Sequence, residues 1–237
     1  MNAIVSSYQE EFKKMTPGEM LSHIMENHPG KVVFSTSLSA EDQVVTHMLT
    51  ELVEEPPIFT LDTGRLFYET YDLIDKTNKH YGINIKIMFP DSARVEEMTN
   101  QQGINLFYDS IANRKRCCNV RKIEPLKRAL SGNEVWITGL RSEQSPTRNN
   151  MQFAEWDACN HIIKLNPILA WTESEVWDYI KAHNIPYNAL HDHGFPSLGC
   201  QPCTRAVNPG EDIRAGRWWW EQPETKECGL HLTPKAV

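Results

Sequence analysis

Residues 31–52 read KVVFSTSLSAEDQVVTHMLTEL. Lys31–Phe34 is a short β-branched apolar run of the kind that forms a buried strand. Val44, Val45, Met48 and Leu52 fall on one helical face. Between them, Ser35–Asp42 is a hydroxyl-rich turn. A strand, a polar turn and an amphipathic helix in that order make the repeating unit of a parallel α/β sheet.

The pattern recurs along the chain. Further strands are expected at Ile58–Leu61, Ile83–Phe89, Val135–Thr138 and His161–Leu165. Phe67, Tyr71 and Ile74 form a second helical stripe, and Ile123, Leu126 and Leu130 a third. Thr172 with Glu175 is a capping box that opens another helix. Residues 1–28 read as one or two helices, with Thr16-Pro17 starting the second. The fold class is therefore α/β, a mainly parallel sheet with helices on both faces. From about Asn188 the strand–helix rhythm stops, and residues 188–237 read as an irregular tail over a 31–187 core, all in a single domain.

Composition excludes whole classes of function. The 237 residues are 40% hydrophobic and 23% charged, an ordinary globular balance. No apolar run approaches a membrane span, and the polar N-terminus is unlike a signal or transit peptide, so a cytoplasmic protein with no membrane partner is expected. Lys and Arg number 24 against 31 Asp and Glu, a net charge of −7 that argues against nucleic acid as a partner. Basic character is local instead: Arg114, Lys115, Arg116, Arg121, Lys122, Lys127 and Arg128 cluster around Cys117 and Cys118. A charge run of this kind is ordinarily a solvated helix face.

In a doubly wound sheet, ligands bind beyond the carboxyl ends of the strands. Three turns there carry suitable groups: Ser35–Asp42, Leu61–Arg65 and Thr138–Arg141, with Arg148 just beyond. The first suits an anion at a helix N-terminus, although serines there also serve as plain N-caps. The other two each place a Gly for close backbone approach and an Arg for an anion. Together they point to a phosphate-bearing ligand. The Gly-Lys pair of a P-loop NTPase is missing.

Six cysteines remain to be explained: Cys117, Cys118, Cys159, Cys200, Cys203 and Cys228. Disulfides are not expected without export. Cys117-Cys118 with Cys200-Gln201-Pro202-Cys203 supplies four thiolates, enough for zinc or for a [4Fe–4S] cluster. Two adjacent cysteines are hard to place at two corners of one zinc tetrahedron, which favours the cluster. Cys159 reads as a small core hydrophobe. His191-Asp192-His193 reads as a hydrogen-bonded turn, and Trp218-Trp219-Trp220 as packing for the tail.

These motifs, with Lys115–Lys122, Gly199–Thr204 and Glu227–His231, resemble the assimilatory adenylylsulfate/phosphoadenylylsulfate reductases, most of all the iron–sulfur branch acting on adenosine 5′-phosphosulfate (APS). The resemblance runs in order from Val32 to His231. It implies a PP-loop (adenine nucleotide alpha hydrolase-like) fold. It further implies a [4Fe–4S] cluster on Cys117, Cys118, Cys200 and Cys203, and Cys228 as nucleophile. Ser35, Ser37, Asp62, Gly139 and Arg141 would line the nucleotide site. Lys122 would sit between cluster and substrate, and Arg214, Arg217 and His231 would close over the phosphosulfate.

The implied activity is reduction of APS to sulfite and AMP in sulfate assimilation and cysteine biosynthesis, through a cysteine S-sulfonate, with thioredoxin or a similar dithiol protein as reductant. Few residues follow His231, so a fused thioredoxin-like domain is not expected. Arg214 and Arg217 lie in a tail with no apolar periodicity, so their charge is expected to be available to an anion. The rivals are a 3′-phosphorylated substrate, a PP-loop ATP-consuming enzyme and a zinc-stapled binding module. The sequence leaves the oligomeric state open, a homo-oligomer included.

Overall fold

The computed structural model describes residues 2–144 and 150–222. Arg148, Cys228 and His231 lie outside the described residues. The N-terminal helices are α1 (Asn2–Phe12) and α2 (Pro17–Asn27), and α2 starts at a capping box of Thr16 and Glu19. Strand β1 (Val32–Thr36) leads to α3 (Ala40–Leu52), β2 (Ile58–Leu61) to α4 (Tyr68–Tyr81), and β3 (Lys86–Met88) to α5 (Ser92–Gln102). Helix α6 (Ile111–Cys118) runs through a π-helical turn, Asn119–Ile123, into α7 (Glu124–Leu130). Strands β4 (Val135–Ile137), β5 (Ala154–Asp157) and β6 (Ile162–Leu165) follow, then α8 (Glu173–Ala182), which opens on the Thr172–Glu175 box.

The six strands form one sheet in the order β3-β2-β1-β4-β6-β5. Strand β1 is parallel to both neighbours, pairing Phe34 with Ile58 of β2 and with Ile137 of β4. Strand β6 is parallel to β4, and β5 is antiparallel to β6 at the edge. No helix among the described residues is long and apolar enough to cross a membrane.

The chain divides into two compact units. The first comprises Met1–Thr60, Glu69–Lys86 and Gly132–Asn188; the second comprises Leu61–Tyr68, Ile87–Ser131 and Ala189–Val237. The first has a large apolar core, with Phe34, Val44, Val45, Leu49, Val135, Ile137 and Leu165 fully enclosed. The second has a smaller core of Met98, Leu106, Phe107, Val120 and Trp218, which also contains Cys118, Cys200 and Cys203.

Three expectations need correction. The edge strand β5 adds to the expected strands and closes a hairpin with β6. The turn of that hairpin is built by Asp157, whose Oδ1 accepts from the backbone N–H groups of Cys159 and Asn160. That places Cys159 on the exposed turn instead of in the core. In α4 the buried stripe is Thr70, Leu73, Ile74 and Thr77; Phe67 is buried but precedes the helix, and Tyr71 is exposed, so the stripe differs from the expected one at Tyr71.

Candidate functional site

The anticipated site residues fall in both units. In the first, the turns after the adjacent parallel strands β1 and β4 meet. Gly139 lies so close to Asp42 that a Cβ would overlap the carboxylate, which explains the glycine. Ser37 donates both its backbone N–H and its Oγ to Asp42 Oδ2, each at 2.6 Å. Leu38 between them takes a left-handed conformation, φ 60°, and its N–H bonds Thr36 Oγ1 at 3.0 Å. Ser35 Oγ accepts from Trp136 Nε1 at 2.8 Å. Ser39 is the N-cap of α3 but makes no side-chain capping bond, so Asp42 organises this turn.

Asp42 is fully buried, and that desolvation raises its carboxyl to about 6 against the lowering effect of the Ser37 bonds, with Glu41 adding repulsion. Arg141, 3% exposed, donates Nε and Nη2 to Glu41 Oε1 at 3.0 Å each. The anticipated anion-binding arginine is thus held in place by a carboxylate of the facing helix.

The second unit carries Cys117, Cys118, Cys200 and Cys203. Cys117 and Cys118 end α6, and Cys200 caps a 3₁₀ turn that ends at Cys203, whose N–H bonds Cys200 O at 2.9 Å. All four line one cavity with about 390 Å³ of empty space, part of it open to solvent, together with Lys122 and Arg217. Asp62 organises the adjoining turn by accepting from Gly64 N–H at 2.7 Å, and Gly64 has φ +69°. The next residue, Thr63, places its Oγ1 3.2 Å from Cys200 Sγ and accepts at its carbonyl from Arg121 at 2.6 Å.

Burial raises the Cys117 thiol. Burial and the neighbouring Cys200 push Cys203 up to about 12. Cys200 is different: burial opposes its ionisation, but Lys122, the Thr63 bond, Arg217 and Arg121 outweigh it and lower the thiol.

Two arginines make contacts that no local sequence signal announces. Arg217 is 6% exposed, its guanidinium lying 4.9 Å from the Trp218 ring centroid and donating to the carbonyl of Leu198. Gly199 leaves it room, since a Cβ there would overlap the guanidinium. Packing against an aromatic face, not helical periodicity, buries this cation. Arg65 donates to Ile104 O and Asn105 Oδ1 at 3.0 Å each, and so pins a loop while also lining the cysteine cavity. Arg214 is half-buried, in a turn where its N–H bonds Asp212 Oδ1 at 2.8 Å.

Sequence reading gave no role to Thr63 or Asp42, although both sit inside the quoted motifs. Nor did it give one to Arg114 or Glu221; a charge run hides a buried arginine, and Glu221 stands alone. Of the three adjacent tryptophans, Trp218 is buried in this core and Trp219 is 40% exposed.

A soft, sulfur-rich donor set in one cavity raises the question of a metal group. Among the described residues, no three His, Cys, Asp or Glu side chains converge with the spacing of metal ligands. The donor chemistry nevertheless suits an inorganic group. The cavity presents four thiols flanked by cations, and the buried Nε1–H of Trp218, another lining residue, has no hydrogen-bond partner among the described residues.

Residues 31–206 match the phosphoadenosine phosphosulfate reductase domain, and the chain belongs to that family. It is 52% identical over 213 residues to the adenosine 5′-phosphosulfate reductase of Allochromatium vinosum, covering 90% of this chain and 83% of that one. It is 49% identical to the enzyme of the same name from Burkholderia cepacia, over 90% and 85% of the two chains. Among solved structures, the phosphoadenylyl-sulfate reductase of Candida auris in a phosphate complex superimposes with TM-score 0.73 at 26% identity, over 86% of this chain and 96% of that one. Yeast FAD synthetase, at 17% identity and TM-score 0.58 over 86% and 69%, shares the fold alone. The architecture is that of the PP-loop nucleotide-binding proteins.

Proposed function

We propose that this chain reduces APS to sulfite and AMP in cytoplasmic sulfate assimilation, with thioredoxin or a similar dithiol protein as reductant. The observation that carries the reading is the second unit's cavity, where four cysteines meet Lys122 and Arg217, in a chain about half identical to proteins named for this activity. Cys117, Cys118, Cys200 and Cys203 would hold a [4Fe–4S] cluster, which supplies electrostatic and structural support when bound. Lys122 and Arg217, both in the cavity wall, give positive charge on the cysteine side.

The nucleotide is assigned to Ser35, Ser37, Asp62, Gly139 and Arg141, and the phosphosulfate to Lys122, Arg214, Arg217 and His231. Cationic groups there neutralise the charge that would repel an incoming thiolate. The Cys228 thiolate attacks the sulfonyl sulfur, the S–O bond to the phosphate breaks, and AMP leaves with the bonding pair. One thioredoxin thiolate then attacks Cys228 Sγ and expels sulfite. The second thiol resolves the mixed disulfide, so the two electrons come from the dithiol.

Anaerobic mixing of enzyme and APS without reductant should release about one equivalent of AMP per site and leave a sulfonate on Cys228. Thioredoxin should then free sulfite. Multiple turnovers without thiol, or a sulfonate on another cysteine, would contradict the scheme. Parallel assays with the 3′-phosphorylated nucleotide decide between the two substrates.

A further inference from the structure

Arg114 belongs to a cationic run, yet its side chain is 0% exposed and that of its partner Glu221 is 3% exposed. The contact is bidentate, with Nε to Oε1 and Nη2 to Oε2 both 2.8 Å. The guanidinium lies 4.7 Å from the Trp218 ring centroid, and Glu221 N–H closes the turn on Trp218 O at 2.8 Å. One arginine therefore holds both ends of the turn 218–221. It also lines the cysteine cavity.

A buried pair of this kind is a poor source of stability, because well-packed apolar residues of similar volume often do as well or better. What the planar fork adds is direction: it fixes its carboxylate in distance and angle. Glu221 stands seven residues before Cys228, a span of at most roughly 24 Å when extended. Fixing the root of so short a span restricts where its far end can go.

We propose that Arg114 and Glu221 are positioning residues for the reaction, a clasp that sets, against the helix bearing Cys117 and Cys118, the point from which the chain continues to Cys228. The inference rests on the reading of Cys228 as nucleophile given above. The clasp touches no substrate; it acts through the geometry of the segment it anchors.

The test compares holoenzyme with Glu221→Gln, Glu221→Asp and the doubly apolar Arg114→Met/Glu221→Leu. Iron and sulfide content, visible absorbance and equilibrium binding of APS are measured beside the single-turnover rate of Cys228 sulfonation without reductant. Glu221→Gln and the double variant should keep iron, absorbance and APS affinity while sulfonation slows about tenfold or more. Glu221→Asp, which keeps the charge, should recover part of the rate. A double variant that sulfonates at the wild-type rate overturns the clasp, because packing then suffices. Slowing seen only in step with iron loss also overturns it. If the wild type forms no adduct, the assignment of Cys228 fails instead, and the inference falls with it.

Discussion

The two units solve the problem of holding polar groups in opposite ways. In the first, serines, a glycine and an arginine sit in the turns after β1 and β4 and are organised by carboxylates, Asp42 for Ser37 and Glu41 for Arg141. In the second, cysteines sit on an interrupted helix and an irregular tail, and buried cations surround them. In the first unit the sheet sets β1 beside β4 and so brings distant turns together, placing Glu41 on Arg141 and Ser35 on Trp136. Irregular chain needs charges and aromatic faces from distant segments, so its parts depend on one another more strongly.

The largest test of that dependence is the cysteine set. Replacing any one of Cys117, Cys118, Cys200 or Cys203 by Ser should remove most iron, sulfide and visible absorbance together with turnover, since a hydroxyl is a poor replacement for a thiolate. Ser37→Ala in the first unit should leave those three signals intact and weaken APS binding about tenfold, as loss of one hydrogen-bonding group does. A Cys203→Ser protein with full iron would remove the contrast.

Asp42 gives the next effect. Its carboxyl is raised from 3.8 to about 6 by burial, which corresponds to roughly 3 kcal/mol. Between those two pH values the folded chain keeps a proton that the unfolded chain has lost, so Asp42's contribution to stability falls as pH rises through the window. Asp42→Asn should match the wild type in thermal unfolding near pH 3.5 and exceed it increasingly up to pH 7. A variant less stable at pH 7 would show that the Ser37 bonds outweigh the burial of charge.

Arg217 and Arg214 sharpen the comparison inside the second unit. Removing the buried Arg217 side chain leaves the Leu198 carbonyl without its donor and the Trp218 face uncovered, so Arg217→Ala should cost about 2 kcal/mol of stability. Arg214→Ala should raise the KM for APS with little change in melting temperature. Similar stability losses for both would erase the distinction. Smallest of all, Cys159→Ser should change stability by less than about 0.5 kcal/mol, and Cys159 should react fast with a thiol reagent in the native protein. Slow labelling would return it to the interior.

The strands of the first unit were legible because each is a run of β-branched apolar residues followed by a polar turn. The helix starts at Thr16 and Thr172 were legible because a capping box is a local signature. Strand β5 was not, since Ala154–Asp157 carries two acids and its pairing with β6 depends on a turn that Asp157 itself builds. The four cysteines of the cavity could be grouped from spacing and chemistry. The burial of Arg114 and Arg217 could not, because it depends on Trp218, Glu221 and Leu198, and no periodicity announces such long-range packing.

The π turn at Asn119–Ile123 carries a consequence of its own. Its ladder steps five residues at a time, as the bond from Glu124 N–H to Asn119 O shows, where an α-helix steps four. The turn therefore acts as a phase shifter, rotating everything after it by about 100° relative to an unbroken helix. Leu126 and Leu130 of α7 are buried while Cys117 and Cys118 at the end of α6 line the cavity, so the two helices meet separate demands. Deleting a single residue from that turn would restore an ordinary helix and spoil both alignments together, without changing the chemistry of any side chain that remains.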